Sequence, residues 1–136
     1  MIVVDTSVVF KWFVPEPDSD AAAALIGQDM IAPALLLLEC GNAFWKKIRQ
    51  DEETVENAAT ALASLPRFVT IEPDEPIAQT AFALAVQLQH PIYDCMFLAL
   101  AERRNVALAT ADLKLMERCA GTRFEERLHD WRQNGG

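Results

Sequence analysis

The stretch Ile2-Val3-Val4-Asp5-Thr6-Ser7 decides the fold class. Three β-branched residues in succession suit a strand buried on both faces, as in a parallel sheet. Asp5-Thr6-Ser7 stops it with residues made for a turn or a helix N-cap. A first strand therefore ends on a carboxylate. Working outward, residues 8–13 read as a turn or short helix, and Asp18-Ser19-Asp20 offers N-cap chemistry for a helix over 21–28. Met30-Ile31-Ala32 is a second strand, with Pro33 in the first turn of a helix over 34–50 whose last turn carries Lys46, Lys47 and Arg49. A helix over 53–65 is stopped by Pro66, and 68–71 is a third strand. Ile77, Ala78, Ala81, Phe82, Leu84, Ala85 and Leu88 recur at helical spacing up to His90-Pro91. A helix over 92–104 is apolar on nearly every side, Asn105 breaks it, and 106–109 is the fourth strand. A helix over 113–120 stops at Gly121, and Arg123-Phe124 reads as an edge strand before a polar C-terminal helix. Strands alternating with helices and no hairpin signals predict an α/β fold, a three-layer α/β/α sandwich with a mainly parallel central sheet.

The 136 residues suit one domain, expected over 1–136, with 51% hydrophobic residues to fill its core. No apolar run approaches the roughly 20 residues of a membrane span, and the N-terminus carries no basic or cleavable leader pattern, so a cytoplasmic protein without membrane attachment is expected. Cys40, Cys95 and Cys119 form no C-x-x-C pair and read as buried apolar residues. With 12 Lys+Arg against 20 Asp+Glu the formal net charge is −8, which argues against holding nucleic acid by bulk charge. It leaves room for a nuclease whose acids gather at a metal site.

Four carboxylates stand out. Asp5 and Asp112 lie at strand ends, where ligands bind in open parallel sheets. Glu39 has Leu35, Leu36, Asn42 and Ala43 as helical neighbours, and Asp94 is the only charge from Ile92 to Ala101. Neither has a lysine or arginine one helical turn away, and burying an unpaired charge costs several kcal/mol. If the four converge, charges about 4 Å apart repel by ~4 kcal/mol at an effective dielectric of 20. Mg²⁺ or Mn²⁺ relieves that strain with oxygen ligands and keeps waters available to attack phosphorus or meet phosphate oxygens. Taken singly, each acid has a plainer reading: Asp5 and Asp112 as caps, Glu39 satisfied by a distant arginine, Asp94 favoured by its helix dipole. Thr6, Ser7, Asn42 and Thr110 lie beside the acids as hydrogen-bond donors, with turn and cap roles equally open to Ser7 and Thr110. His90 and His129 are given no catalytic role. Phe10, Trp12, Phe13, Phe44 and Trp45 supply core or an interface.

In order and spacing, Ile2-Val3-Val4-Asp5-Thr6-Ser7, Pro33-Ala34-Leu35 through Glu39 with Asn42-Ala43, Tyr93-Asp94 with Leu98-Ala99-Leu100-Ala101, and Leu108-Ala109-Thr110-Ala111-Asp112 resemble the blocks of the PIN-domain ribonucleases, and within them the VapC-like toxins of type II toxin–antitoxin systems. Ala109 stands where family members often carry Val or Ile. The resemblance implies Mg²⁺ or Mn²⁺ held by Asp5, Glu39, Asp94 and Asp112, endonucleolytic hydrolysis of RNA, a homodimer and a cognate antitoxin in the active-site groove.

Two other readings share the acidic cluster. A non-catalytic domain capturing a basic peptide predicts tight binding without turnover. A PIN-like nuclease outside a toxin–antitoxin pair, a nuclease acting on structured DNA or a metal-dependent phosphatase differs in substrate; Asp5-Thr6-Ser7 lacks the second aspartate of a D-x-D phosphatase motif.

Overall fold

The expected first strand, β1 (Ile2–Val4), lies inside a four-stranded sheet of order β3-β2-β1-β4, with β2 (Met30–Pro33), β3 (Thr70–Glu72) and β4 (Ala107–Ala109). The computed structural model describes residues 1–134. Every pairing is parallel: Val3 faces Ile31 on one side and Leu108 on the other, and Ala32 pairs with Ile71. Val3 and Val4 are fully buried, as a strand covered on both faces requires. The chain is a three-layer α/β/α sandwich.

The helices are α1 (Thr6–Val9), α2 (Ser19–Ala23), α3 (Leu35–Arg49), α4 (Val55–Phe68), α5 (Ala78–Leu88), α6 (Ile92–Arg104), α7 (Leu113–Cys119) and α8 (Trp131–Asn134). Residues Cys95 to Ala101 of α6 are all buried, because α6 lies on β1, β2 and β4 beneath α5. A helix apolar all round is the pattern of a helix covered on every side. α6 runs counter to the strands, so its N-terminus meets the edge where β1 and β4 end. The helices α1, α3 and α7 start at that same edge, each directly after a strand.

Several boundaries differ from the sequence reading. Pro33 ends β2 instead of opening α3; the N–H of Leu35 is held by the Asp74 carboxylate at 3.0 Å, a cap lent from another segment. α2 is five residues long, and the Asp18 carboxylate makes no cap but pairs with Arg132 at 2.9 Å. Pro66 sits inside the last turn of α4, exposed, where it removes one backbone bond without ending the helix, and β3 begins correspondingly later. Phe82 points outward on α5, 63% exposed. Arg123-Phe124 is not a strand: Thr122 Oγ1 takes the Phe124 N–H at 3.1 Å and turns the chain, and Leu128 bridges to Leu108 instead. The C-terminal helix is anchored by buried Trp131, whose indole N–H donates to the Thr110 carbonyl at 2.8 Å.

The three cysteines are free and buried, as expected. Phe44 is core, with Phe10 and Phe13 edge-on to it, while Trp45 is exposed. No described helix is long and apolar enough to cross a membrane. The expected domain over 1–136 includes Gly135 and Gly136, which lie outside the described residues.

Candidate metal centre at the carboxyl edge of the sheet

The turn after β1 makes Asp5 the N-cap of α1: its Oδ1 accepts the Val8 N–H at 3.2 Å and the Ser7 hydroxyl at 2.5 Å. Asp5 is 3% exposed. Burial pushes its pKa up to about 7; bonds from Ser7, Thr110 and Val8 pull against that, and the charge on Asp94 adds to the rise. After β4, Asp112 caps α7, its Oδ1 accepting the N–H groups of Lys114 at 2.9 Å and Leu115 at 3.1 Å. Ser7 staples the two strand ends together. Its hydroxyl oxygen accepts the Ala111 N–H at 2.8 Å and lies 3.5 Å from Thr110 Oγ1, which accepts the Asp112 N–H at 3.1 Å.

Glu39 lies in the second turn of α3 and is half-buried, with Oε1 accepting the Thr6 hydroxyl at 2.7 Å. Its pKa is raised by burial above all, against the Thr6 bond, and further by Asp94 and Asp112. Asp94, in the first turn of α6, has Oδ2 2.6 Å from His90 Nε2. Burial raises it most, the His90 bond opposes, and Asp112 raises it again. The four acids thus feel one another across the edge. Among the described residues no lysine or arginine pairs with any of them, so the distant arginine considered for Glu39 is absent.

Each acid commits one oxygen to the fold: Oδ1 in Asp5 and Asp112, Oε1 in Glu39, Oδ2 in Asp94. The second oxygen is left over, with Thr110 beside Asp5 and the mutual approach of Asp94 and Asp112 as its competitors. Hard oxygen donors, three of them with pKa values raised by burial first and by neighbouring acids second, are a donor set that a hard divalent cation fits. His90, Asp94 and Asp112 each bring a ligand atom within 4.8 Å of the others. That span is somewhat wider than the roughly 4 Å between opposed ligands of an octahedral ion at 2.0–2.1 Å, and the cluster does not include Asp5 or Glu39.

His90 is the residue that the sequence reading passed over. The sequence suggests only the end of a helix there; the chain places it in the junction between α5 and α6, four residues before Asp94 and bonded to it. Asn42 lies one turn beyond Glu39, exposed, on the wall of a cleft of about 390 Å³ also lined by Thr6, Glu39, Lys46 and Tyr93. Asn42 makes no hydrogen bond to the acids. A second cleft, of about 530 Å³, opens over Asp94 and Asp112 and is flanked by Lys114 and Arg118. Cations on both sides of an acidic centre can meet a polyanion that the centre alone repels.

Comparison with known proteins shows the family. The family model of the PIN domain matches residues 2–121, a span that contains all four acids and His90. The chain is similar to Ribonuclease VapC3 of Pyrobaculum aerophilum, 30% identical over 122 residues that cover 86% of this chain and 93% of that protein. Its fold resembles that of Mycobacterium tuberculosis VapC20, described as a sarcin-ricin loop cleaving toxin, with a TM-score of 0.69 at 17% identity over 90% of this chain and 96% of that one. A chain of a toxin–antitoxin complex from Klebsiella pneumoniae superposes with a TM-score of 0.65 at 17% identity, covering 89% and 92%.

Proposed function

Because the chain belongs to the PIN-domain family, among its VapC-like ribonuclease toxins, we propose that it is a Mg²⁺- or Mn²⁺-dependent endoribonuclease acting as the toxin of a toxin–antitoxin pair. The observation that carries the reading is the division of labour in the acids: four carboxylates, none paired with lysine or arginine among the described residues, each with one oxygen tied to the fold, while Thr110 at Asp5 and the approach of Asp94 to Asp112 compete for the other.

In this reading Asp5, Glu39, Asp94 and Asp112 hold the ion. A bound divalent cation supplies charge for the phosphodiester oxygens and lowers the pKa of a coordinated water toward neutrality. Thr6 and Ser7 fix the carboxylates of Glu39 and Asp5, so the ligand geometry is set before substrate arrives. Thr110 holds the backbone of Asp112 through its hydroxyl. Asp5, nearly buried with a pKa of about 7, gives up its proton when the ion binds. Lys46 on one side, with Lys114 and Arg118 on the other, meets RNA phosphates flanking the cleavage point. Water adds to phosphorus in line with the departing ribose oxygen, its proton passes to a carboxylate, and as the P–O bond breaks the ribose oxygen takes up a proton from solvent to leave as a hydroxyl. No covalent intermediate is needed.

The same reading includes a cognate antitoxin and a homodimer. Leu38 at 72% exposed, Trp45 at 51% and Val86 at 65% are large apolar side chains left uncovered on α3 and α5, which supports protein contacts at those helices.

The test is cleavage of mixed RNA with Mg²⁺ or Mn²⁺ by the native chain, Asp5→Asn and Asp94→Asn. Loss of cleavage in both variants and in excess EDTA is expected; full activity in any of the three refutes the reading. Growth arrest on expression, relieved by a small protein encoded just upstream, tests the toxin role.

A further inference from the structure

We propose that His90 is a positioning residue for the candidate metal centre, its Nε2–H holding the Asp94 carboxylate so that Oδ1 faces the ion. The inference rests on the divalent-ion reading above and adds to it a residue outside the four acids.

The backbone has been arranged to put this imidazole in place. α5 ends at Leu88, and Gln89 adopts a left-handed conformation (φ 53°) that turns the chain sharply. The His90 N–H is bonded to the Ala85 carbonyl at 3.1 Å, and its own carbonyl accepts the Cys95 thiol at 3.9 Å. Extended Pro91 then starts α6. The His90 side chain is 5% exposed, against 28% for that of Asp94. A ring locked at both backbone ends and shut away from solvent has little freedom to do anything but meet Asp94.

The 2.6 Å contact assigns the nitrogen's role. Beside a carboxylate oxygen Nε2 carries hydrogen and donates, in the neutral and the protonated ring alike. A nitrogen whose lone pair is replaced by N–H is not a metal ligand, so His90 acts through Asp94. Without this donor, Asp94 is left facing Asp112, whose negative charge opposes its own, and the simplest relief is for the carboxylate to swing away. Outer partners of metal-binding groups generally matter for affinity by about 10–100-fold.

The experiment compares Mn²⁺ and Mg²⁺ binding by calorimetry in the native chain, His90→Gln, His90→Phe and His90→Asn, with unfolding in EDTA recorded for each. His90→Phe is expected to weaken both ions by about 10–100-fold. His90→Gln, which keeps a long N–H donor, should restore affinity to within a few fold. If His90→Phe does not fold, His90→Asn, too short to reach Asp94, stands in for the lost donor. Pulsed electron spin resonance of Mn²⁺ in the native chain should show no directly bound imidazole nitrogen. Native affinity in the donor-free variant overturns the inference and leaves the four-acid site standing. A bound imidazole nitrogen, with Mn²⁺ weakened and Mg²⁺ unchanged, makes His90 a ligand and also overturns it. Failure of the native chain to bind either ion overturns the metal reading and this inference together.

Discussion

Replacing Asp5 by Asn should stabilise the ion-free protein at pH 8 while abolishing its proposed activity. The carboxyl of Asp5 titrates near 3.8 in the unfolded chain and about 7 in the fold. Between those values the folded state holds a proton that the unfolded state has released. Stability is therefore greatest below pH 4, falls as pH rises from 4 to 7, and levels off above 7. A shift of about three units corresponds to about 4 kcal/mol at its full extent. Asn keeps an amide oxygen for the Val8 N–H and the Ser7 hydroxyl, so the cap survives at little cost. Its NH₂ group, lacking a designated acceptor, costs about 1–2 kcal/mol. A net gain of about 2 kcal/mol at pH 8 follows, about 6 °C in Tm for a chain of this size. By pH 4, where Asp5 is protonated in the fold, the gain should be gone and the variant should be less stable than the native chain by the amide's cost of about 1–2 kcal/mol. Urea unfolding of both proteins in EDTA from pH 4 to 8.5 measures it. A variant less stable than the native chain at pH 8, or a difference independent of pH, would refute the argument that burial holds Asp5 protonated near neutrality.

Millimolar Mn²⁺ should raise the Tm of the native chain, by about 2.7 kcal/mol of stability at a concentration 100 times Kd, and raise that of Asp5→Asn much less; equal shifts would place the ion elsewhere. Trp131→Phe removes the indole donor to the Thr110 carbonyl and should cost about 1–3 kcal/mol, with faster amide exchange at Ala111 and Asp112; protection unchanged there would mean α8 does not brace the site. Lys114→Ala combined with Arg118→Ala should weaken RNA binding and lower the salt dependence of log K by about 1.4, the value for two phosphate contacts on a single strand; an unchanged slope would take the substrate off the α7 side.

How far the sequence could be read depended on the range of the interaction. The buried strand at Ile2–Val4 and the run in Ile92–Arg104 were legible because burial on all sides leaves an unbroken apolar signature. Glu39 and Asp94 stood out as charges in apolar surroundings. Pro33 misled because what it does is set by partners far along the chain, Glu72 pairing with it in the sheet and Asp74 capping the helix it was expected to open, and Pro66 because in an exposed last turn its missing N–H does not end the helix. Arg123-Phe124 looked like a strand by composition, yet the turn that the Thr122 hydroxyl closes on the Phe124 N–H outweighs so short a propensity. His90 was hidden by its neighbours. A histidine before a proline reads as the end of one helix, and only the left-handed turn at Gln89 shows it also belongs to the start of the next.

The plain reading of Asp5 and Asp112 as caps and their reading as metal ligands turn out not to compete. A carboxylate has two oxygens, and a cap consumes one of them. Asp5 spends Oδ1 on Val8 and Ser7, and Asp112 spends Oδ1 on Lys114 and Leu115. Each cap fixes its side chain's direction, and so aims the remaining oxygen without any further element. Parallel strands ending at one edge supply helix N-termini there, whose unpaired N–H groups and dipoles favour negative charge. Acids can therefore be gathered at that edge at lower cost than elsewhere on the molecule. The same arithmetic extends to Glu39 with Thr6 and to Asp94 with His90, where a side chain takes the place of the backbone donor. Loss of any of these donors should then loosen a ligand before it loosens the fold, whereas loss of Ser7, which ties both strand ends at once, should do both.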